Sequence, residues 1–179
     1  MFRVLLLISL LLAPAVYASN NTVRRIGDLG QVALPVTALA MTWAFDDLGF
    51  EEDNGFMQLA KTFALTEITT HSLKYTVESK RPNGEKHSFP SGHTAAAFAG
   101  SGFIQKRYGW EYGIPAHLLA AFVGYSRIET KAHWASDVIA GAAIGLFYNY
   151  IFTTPFNASS HVYPIVTSNS VAIAWQGNF

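Results

Sequence analysis

The chain has 179 residues, a formal net charge of zero and no cysteine. Half of it is hydrophobic and only 13% is charged, against roughly one quarter charged in ordinary soluble domains, and a neutral chain is a poor match to a general nucleic-acid binder. One domain with a real core fits this length, while the missing cysteine excludes disulfides, thiolate metal sites and a cysteine nucleophile.

Met1 to Ala18 (MFRVLLLISLLLAPAVYA) sets one cation, Arg3, before an apolar run from Val4 to Leu12, then Pro14 and small or apolar residues up to Ala18. That is the layout of a secretory signal peptide cleaved after Ala18. The alternative is a first membrane helix, for which the run is short, since a span needs about 20 residues. This segment carries nearly all of the chain's positive hydropathy. The remainder is close to neutral, low for a polytopic membrane protein.

Leu29 to Phe45 is uncharged and predicts a buried or membrane-dipping helix that Pro35 kinks or starts. Asp46 to Gly55 follows, with carboxylates at Asp46, Asp47, Glu51, Glu52 and Asp53. Such a loop can bind Ca²⁺, but a solvated acidic turn is the preferred reading. Phe56 to Tyr75 reads as an amphipathic helix with a Leu59, Phe63 and Ile68 stripe. Pro82-Asn83-Gly84 must turn. Gly92 to Arg107 is an Ala- and Gly-rich helix, and Gly109 and Gly113-Ile114-Pro115 break the chain before a helix from Ile114 to Tyr125. The last long helix is expected from Ser136 to Phe152, its Gly141, Ala142, Ala143 and Gly145 suited to tight helix packing. Val162 to Val166 and Ser170 to Trp175 are β-prone and predict a small hairpin. The fold expected is all-α, a bundle of about five to six helices (the first a signal peptide) with a short C-terminal hairpin.

Three polar blocks stand out between Lys74 and Asp137. They supply Lys74 and Arg81, then Pro90-Ser91-Gly92-His93, then Ser126-Arg127 with His133 and Asp137. A phosphate ester needs its anionic oxygens neutralised, a nucleophile in line, and a proton for the leaving oxygen. Lys74, Arg81 and Arg127 can form the clamp, arginine offering a planar fork of donors. Ser91 and Gly92 sit where a helix begins, so their N–H groups can face an anion. His133 and Asp137 are four apart and share a face if a helix starts there. Asp137 then fixes the tautomer and His133 attacks phosphorus, with His93 as acid. Two histidines and an aspartate also suggest zinc, but the three nearby cations disfavour a metal. His71, His87, His117 and His161 are read as structural or exposed.

The blocks K-x6-R-P, P-S-G-H and S-R-x5-H-x3-D resemble the type 2 phosphatidic acid phosphatase superfamily of membrane lipid phosphatases, soluble bacterial acid phosphatases and vanadium haloperoxidases. Every fixed position is present in order, over about a third of the chain. The resemblance implies a helical bundle, phosphate binding by Lys74, Arg81, Ser91, Gly92 and Arg127, His93 as acid, His133 as the phosphohistidine and Asp137 as its support, with no metal or other cofactor. The short link from Pro82 to Pro90 and the modest length resemble compact bacterial lipid phosphatases.

Residues 1–18 are thus expected to be the signal or first membrane helix, 19–155 the helical phosphatase domain and 156–179 a β-prone tail. The expected partners are a phosphorylated lipid or small phosphate ester and a membrane surface or bilayer, not nucleic acid. The expected location is the periplasmic side of a bacterial inner membrane, integral or peripheral. A soluble broad-specificity periplasmic acid phosphatase is the alternative. A vanadate haloperoxidase is disfavoured by length, and a non-enzymatic protein by the intact set of acid, nucleophile and clamp.

Overall fold

The computed structural model describes residues 20–46, 54–156, 160–166 and 171–177. The proposed signal segment and most of the acidic loop lie outside them. Five helices follow one another: α1 (Asn20–Phe45), α2 (Gly55–Thr76), α3 (Gly92–Tyr108), α4 (Trp110–Glu129) and α5 (Ala135–Phe152). Two antiparallel strands, β1 (Ser160–Val166) and β2 (Val171–Gly177), pair with Ser160 opposite Gly177 and Val166 opposite Val171. The all-α bundle is as expected.

Helix α3 is the axis, packed against all four other helices. Its small residues make that possible. Ala95, Ala97 and Ala99 are fully buried, and Phe103 and Ile104 complete the core with Leu34, Ala38, Leu59, Ala120 and Val123. Gly145 of α5 lies directly on the α3 backbone: a Cβ there would come within 2.6 Å of the Ala95 carbonyl oxygen. On the other side, a Cβ at Gly100 would sit 2.7 Å from the Pro35 nitrogen of α1. A glycine inside a helix costs about 1 kcal/mol relative to alanine; here close backbone approach offsets that cost.

Several boundaries differ from expectation. Helix α1 starts at Asn20, so Arg24, Arg25 and Asp28 are helical and Pro35 lies inside the helix. Gly109, at φ 93°, does end α3, because that region favours glycine. Gly113 and Pro115 do not break the chain: α4 runs through both. The α2 stripe holds at Leu59, which is buried in the core, and at the half-buried Phe63, but not at Ile68, which is 61% exposed. Beside Leu59, the i, i+4 row Thr62, Thr66 and Thr70 is fully buried and faces the bundle.

The acidic-turn reading fails at its first residue. Asp46 is buried, and the Arg107 Nε donates to its Oδ2 at 2.7 Å. Arg107 also reaches the Gln58 side chain and the Thr154 carbonyl, tying together the far ends of α1, α2, α3 and α5.

Candidate active site

The three polar blocks converge at one end of the bundle, around a cleft between α1 and α2. Lys74, Arg81, Gly92, His93, Arg127 and His133 all line this cavity of about 800 Å³. Each is placed by a separate local device.

Lys74 lies in the last turn of α2, and its ammonium donates to the carbonyls of Pro90, at 2.7 Å, and His87, at 3.2 Å. The His87 ring returns the contact through Nδ1 to the Lys74 carbonyl at 2.9 Å. His87 is therefore a brace for the clamp, a structural role for a histidine read as structural. Arg81 sits in a tight loop: its N–H donates to the Glu85 carbonyl, Gly84 turns at φ 92°, and Arg81 Nη1 donates to Glu85 Oε2 at 2.9 Å. Arg81 Nε is buried without a partner in this ligand-free site. The Trp134 indole donates to the Lys80 carbonyl, which fastens this loop to the third block.

Ser91 is the N-cap of α3. It is fully buried, its Oγ accepts the Thr94 N–H, and its own N–H donates to the Asp137 carbonyl at 2.9 Å. It does not line the cavity. Ser91 thus shapes the helix start, its Oγ also lying 2.9 Å from Thr94 Oγ1. Gly92 and His93, the first two residues of α3, do line the cavity, where the positive end of the helix favours an anion.

Arg127 is buried at the end of α4 and held by each of its three nitrogens, with two further N–H groups left for a ligand. Nε donates to Ser126 Oγ at 3.0 Å, Nη1 to Asp28 Oδ1 at 2.7 Å and Nη2 to the Arg24 carbonyl at 3.0 Å. Its own carbonyl accepts the N–H groups of Ala132 and His133, so the same residue fixes the loop that carries His133. That loop needs a left-handed residue, and Lys131 supplies it at φ 55°.

His133 and Asp137 do not share a helical face as expected. His133 precedes the helix, Trp134 is its N-cap, and Asp137 folds back so that Oδ2 accepts the Trp134 N–H at 2.9 Å. The same oxygen accepts the Ser88 hydroxyl and stands 3.6 Å from His133 Nδ1. At that distance the two groups are in contact without a hydrogen bond, and catalytic hydrogen bonds often tighten only with ligand present.

Burial lowers both imidazole pKa values from their ordinary range. His133 is held down to about 4, by burial first and then by the Lys74 and Arg81 cations, against the pull of Asp137. His93, in the first turn of α3, is also held down to about 4, by burial and then by Arg127, against the pull of Asp28. The unfolded chain therefore binds more protons than the folded one between about pH 6.5 and about pH 4. Stability from this source is complete above that window and is lost as pH falls through it. The melting temperature of the ligand-free protein should drop across the window, and a His93→Asn/His133→Asn variant should drop less; parallel curves would refute the assignment.

Sequence reasoning missed Asp28 and Ser88. Asp28 carried a signal: it is the only carboxylate before residue 46 and lies four after Arg24.

The PAP2 superfamily profile matches residues 55–160, more than half of the chain. The chain belongs to the PAP2 superfamily. It is 45% identical over 78 residues to the lipid A 1-phosphatase of Porphyromonas gingivalis, a match covering 41% of this chain and 17% of that protein. It is 27% identical over 135 residues to the lipid A 4'-phosphatase of Helicobacter pylori, covering 68% of each. Its fold is like that of the transmembrane PAP2-type phosphatidylglycerolphosphate phosphatase from Bacillus subtilis, with a TM-score of 0.58, 23% identity and coverage of 83% of this chain and 92% of that one. As a PAP2 chain it keeps the three-block arrangement, with α1 lying outside the profile's span.

Proposed function

We propose that this PAP2 protein is a phosphatase acting on the phosphate of a membrane lipid, through a phosphohistidine at His133. One observation carries the reading: the cavity that holds the cations and histidines continues into an apolar channel. Val32, Pro35, Val36 and Leu39 of α1 face Leu59, Ala60 and Phe63 of α2 across it. A polar head with an apolar tail fits such a cleft; a small hydrophilic ester has no use for that wall. The names of the two bacterial relatives bring a lipid A type phosphate to the front of the expected lipids.

In the reaction, Lys74, Arg81 and Arg127 neutralise the phosphoryl oxygens, with the α3 N-terminus behind them. The Nε2 lone pair of His133 forms a P–N bond as the P–O bond to the lipid breaks, and His93 gives its proton to the leaving oxygen. Water then attacks phosphorus, losing its proton to His93 while the P–N bond breaks and phosphate leaves. Asp137 supports the charge on His133 through Nδ1. This chemistry needs no metal.

Membrane association belongs to the same proposal. Away from the cleft, α1 and α5 expose Leu29, Trp43, Ile139, Phe147 and Tyr150, and large apolar side chains left bare in this way suit a membrane. Ala135–Phe152 is long and apolar enough to cross a membrane. Export by the leader would put the site on the periplasmic side.

The test is phosphate release in detergent micelles with a chelator present. Lipid A type, phosphatidic acid, phosphatidylglycerol phosphate and polyprenyl diphosphate substrates would be compared with water-soluble esters. Preference for a lipid is the expected result. Equal turnover of soluble esters would overturn the lipid reading, and loss of activity to the chelator would overturn the metal-free one.

A further inference from the structure

Helix α1 places a carboxylate inside the proposed site. Asp28 Oδ1 lies 2.7 Å from Arg127 Nη1 and 3.3 Å from His93 Nε2. One oxygen thereby touches both the clamp and the imidazole assigned as acid. The placement is tightly built. Arg127 Nη2 is held by the Arg24 carbonyl one turn earlier on α1. Gly27 packs so closely on Ser126 and Arg127 that a Cβ would clash with both side chains. Yet Asp28 itself stays 43% exposed, so its carboxylate can yield when a ligand enters.

We propose that Asp28 is a positioning residue for catalysis, orienting His93 Nε2, raising its affinity for a proton and holding Arg127 in the clamp. The inference rests on the phosphatase reading above and goes beyond it, because Asp28 belongs to none of the three blocks and precedes the matched residues 55–160.

The need for such a group follows from charge. His93 is faced by Arg127 of α4 and Lys74 of α2, with Arg24 of α1 and, across the cleft, Arg81 and His133 lining the same cavity. Burial and cations all work against an imidazolium there. Asp28 is the carboxylate that works for it. Even with Asp28 in place, burial and the cations hold His93 down to about 4, so a small share of the free enzyme carries the proton at neutral pH. Without Asp28 that share shrinks further, and a poor leaving group such as a sugar or glycerol oxygen goes unprotonated more often. In the protonated share, Oδ1 of Asp28 holds the Nε2 proton in place until the leaving oxygen takes the position of Oδ1. The P–O bond then breaks, the proton passes from Nε2 to that oxygen, and His93 regains a proton from the attacking water in the second step.

Asp28→Asn keeps the shape and removes the charge. The descending, alkaline limb of the pH profile of kcat/KM reports the acid in the free enzyme, and in the variant it should move to lower pH. The loss should depend on the leaving group. About 10² is expected on a lipid phosphate at pH 7.5, in line with the usual worth of a general acid. Much less should be lost on p-nitrophenyl phosphate, whose leaving group needs no proton. Asp28→Glu should recover part of the activity.

An equal loss on both substrates with an unmoved pH limb would overturn the proposal and leave Asp28 as a purely structural partner of Arg127. A gain in activity would overturn it in favour of a carboxylate that blocks the site. If p-nitrophenyl phosphate is not turned over, the pH limb decides alone. A folded wild-type chain that releases no phosphate from any substrate would instead overturn the phosphatase reading, and the role of Asp28 with it.

Discussion

His133→Ala is expected to abolish phosphate release, by roughly 10³-fold or more, because no other side chain can form the covalent intermediate. The variant should remain folded. His133 is buried, but its Nδ1 has no hydrogen-bond partner, so its removal costs the contact with the Ser88 backbone and leaves no charge unpaired. Asp137 keeps the Ser88 hydroxyl and the Trp134 N–H on its carboxylate. Melting near the wild-type temperature together with lost turnover is therefore the signature of a nucleophile. Rapid base quenching of wild type during turnover should leave a phosphate on the peptide carrying His133 that is stable in base and released by acid. Turnover within tenfold of wild type would exclude His133 as nucleophile. Lost activity with lost folding would mean that this buried imidazole serves the core instead.

The site was readable because its chemistry restricts residue type. Three cations, two imidazoles and a carboxylate in fixed spacings have few other uses, and the bundle gathers them as the spacing implied. What spacing could not convey was how each is held. His133 and Asp137 look like a helical i, i+4 pair, but the helix starts between them and Asp137 reaches His133 by turning back to cap Trp134. Ser91 also serves as the cap of α3, its Oγ accepting the Thr94 N–H, a role its place in the motif does not reveal. Asp28 was invisible as a site residue because its partners, Arg127 and His93, lie 99 and 65 residues further along the chain, and only tertiary packing brings them together.

Helix faces were hard to read for a different reason. The usual rule sends apolar side chains inward. Here an apolar surround and a core of small residues invert it in places: α2 turns Ile68 outward and buries Thr62, Thr66 and Thr70. Periodicity located the helix and the inward Leu59, but placed Ile68 on the wrong side. The boundaries of α1 and α4 were missed because charge at Arg24, Arg25 and Asp28 and the Gly113-Pro115 stretch were weighed as local signals. In both helices, packing on α3 and α4 or on α3 and α1 outweighs them.

Arg107→Met is expected to destabilise the bundle by about 3–5 kcal/mol, the usual consequence of leaving one half of a buried ion pair behind. The Arg107 and Asp46 side chains are 6% and 3% exposed, so water cannot replace the lost partner. Gln58 and the Thr154 carbonyl lose a donor as well. At roughly 2–4 °C per kcal/mol for a chain of this size, the melting temperature in detergent should fall by about 6–20 °C. Chemistry should be spared, because Arg107 is fourteen residues along α3 from His93, or roughly 21 Å at the helical rise of 1.5 Å per residue. The molecules that remain folded should keep wild-type kcat and KM. An Arg107→Met/Asp46→Leu variant should recover much of the loss, since it removes the stranded charge rather than restoring the pair. Equal melting temperatures for the single and double variants would show that the network acts through shape and the hydrogen bonds to Gln58 and Thr154. A selective fall in kcat would show that the far end of α3 is coupled to the site through that helix, which the rigid contact of Gly145 on Ala95 and Ala99 would then transmit.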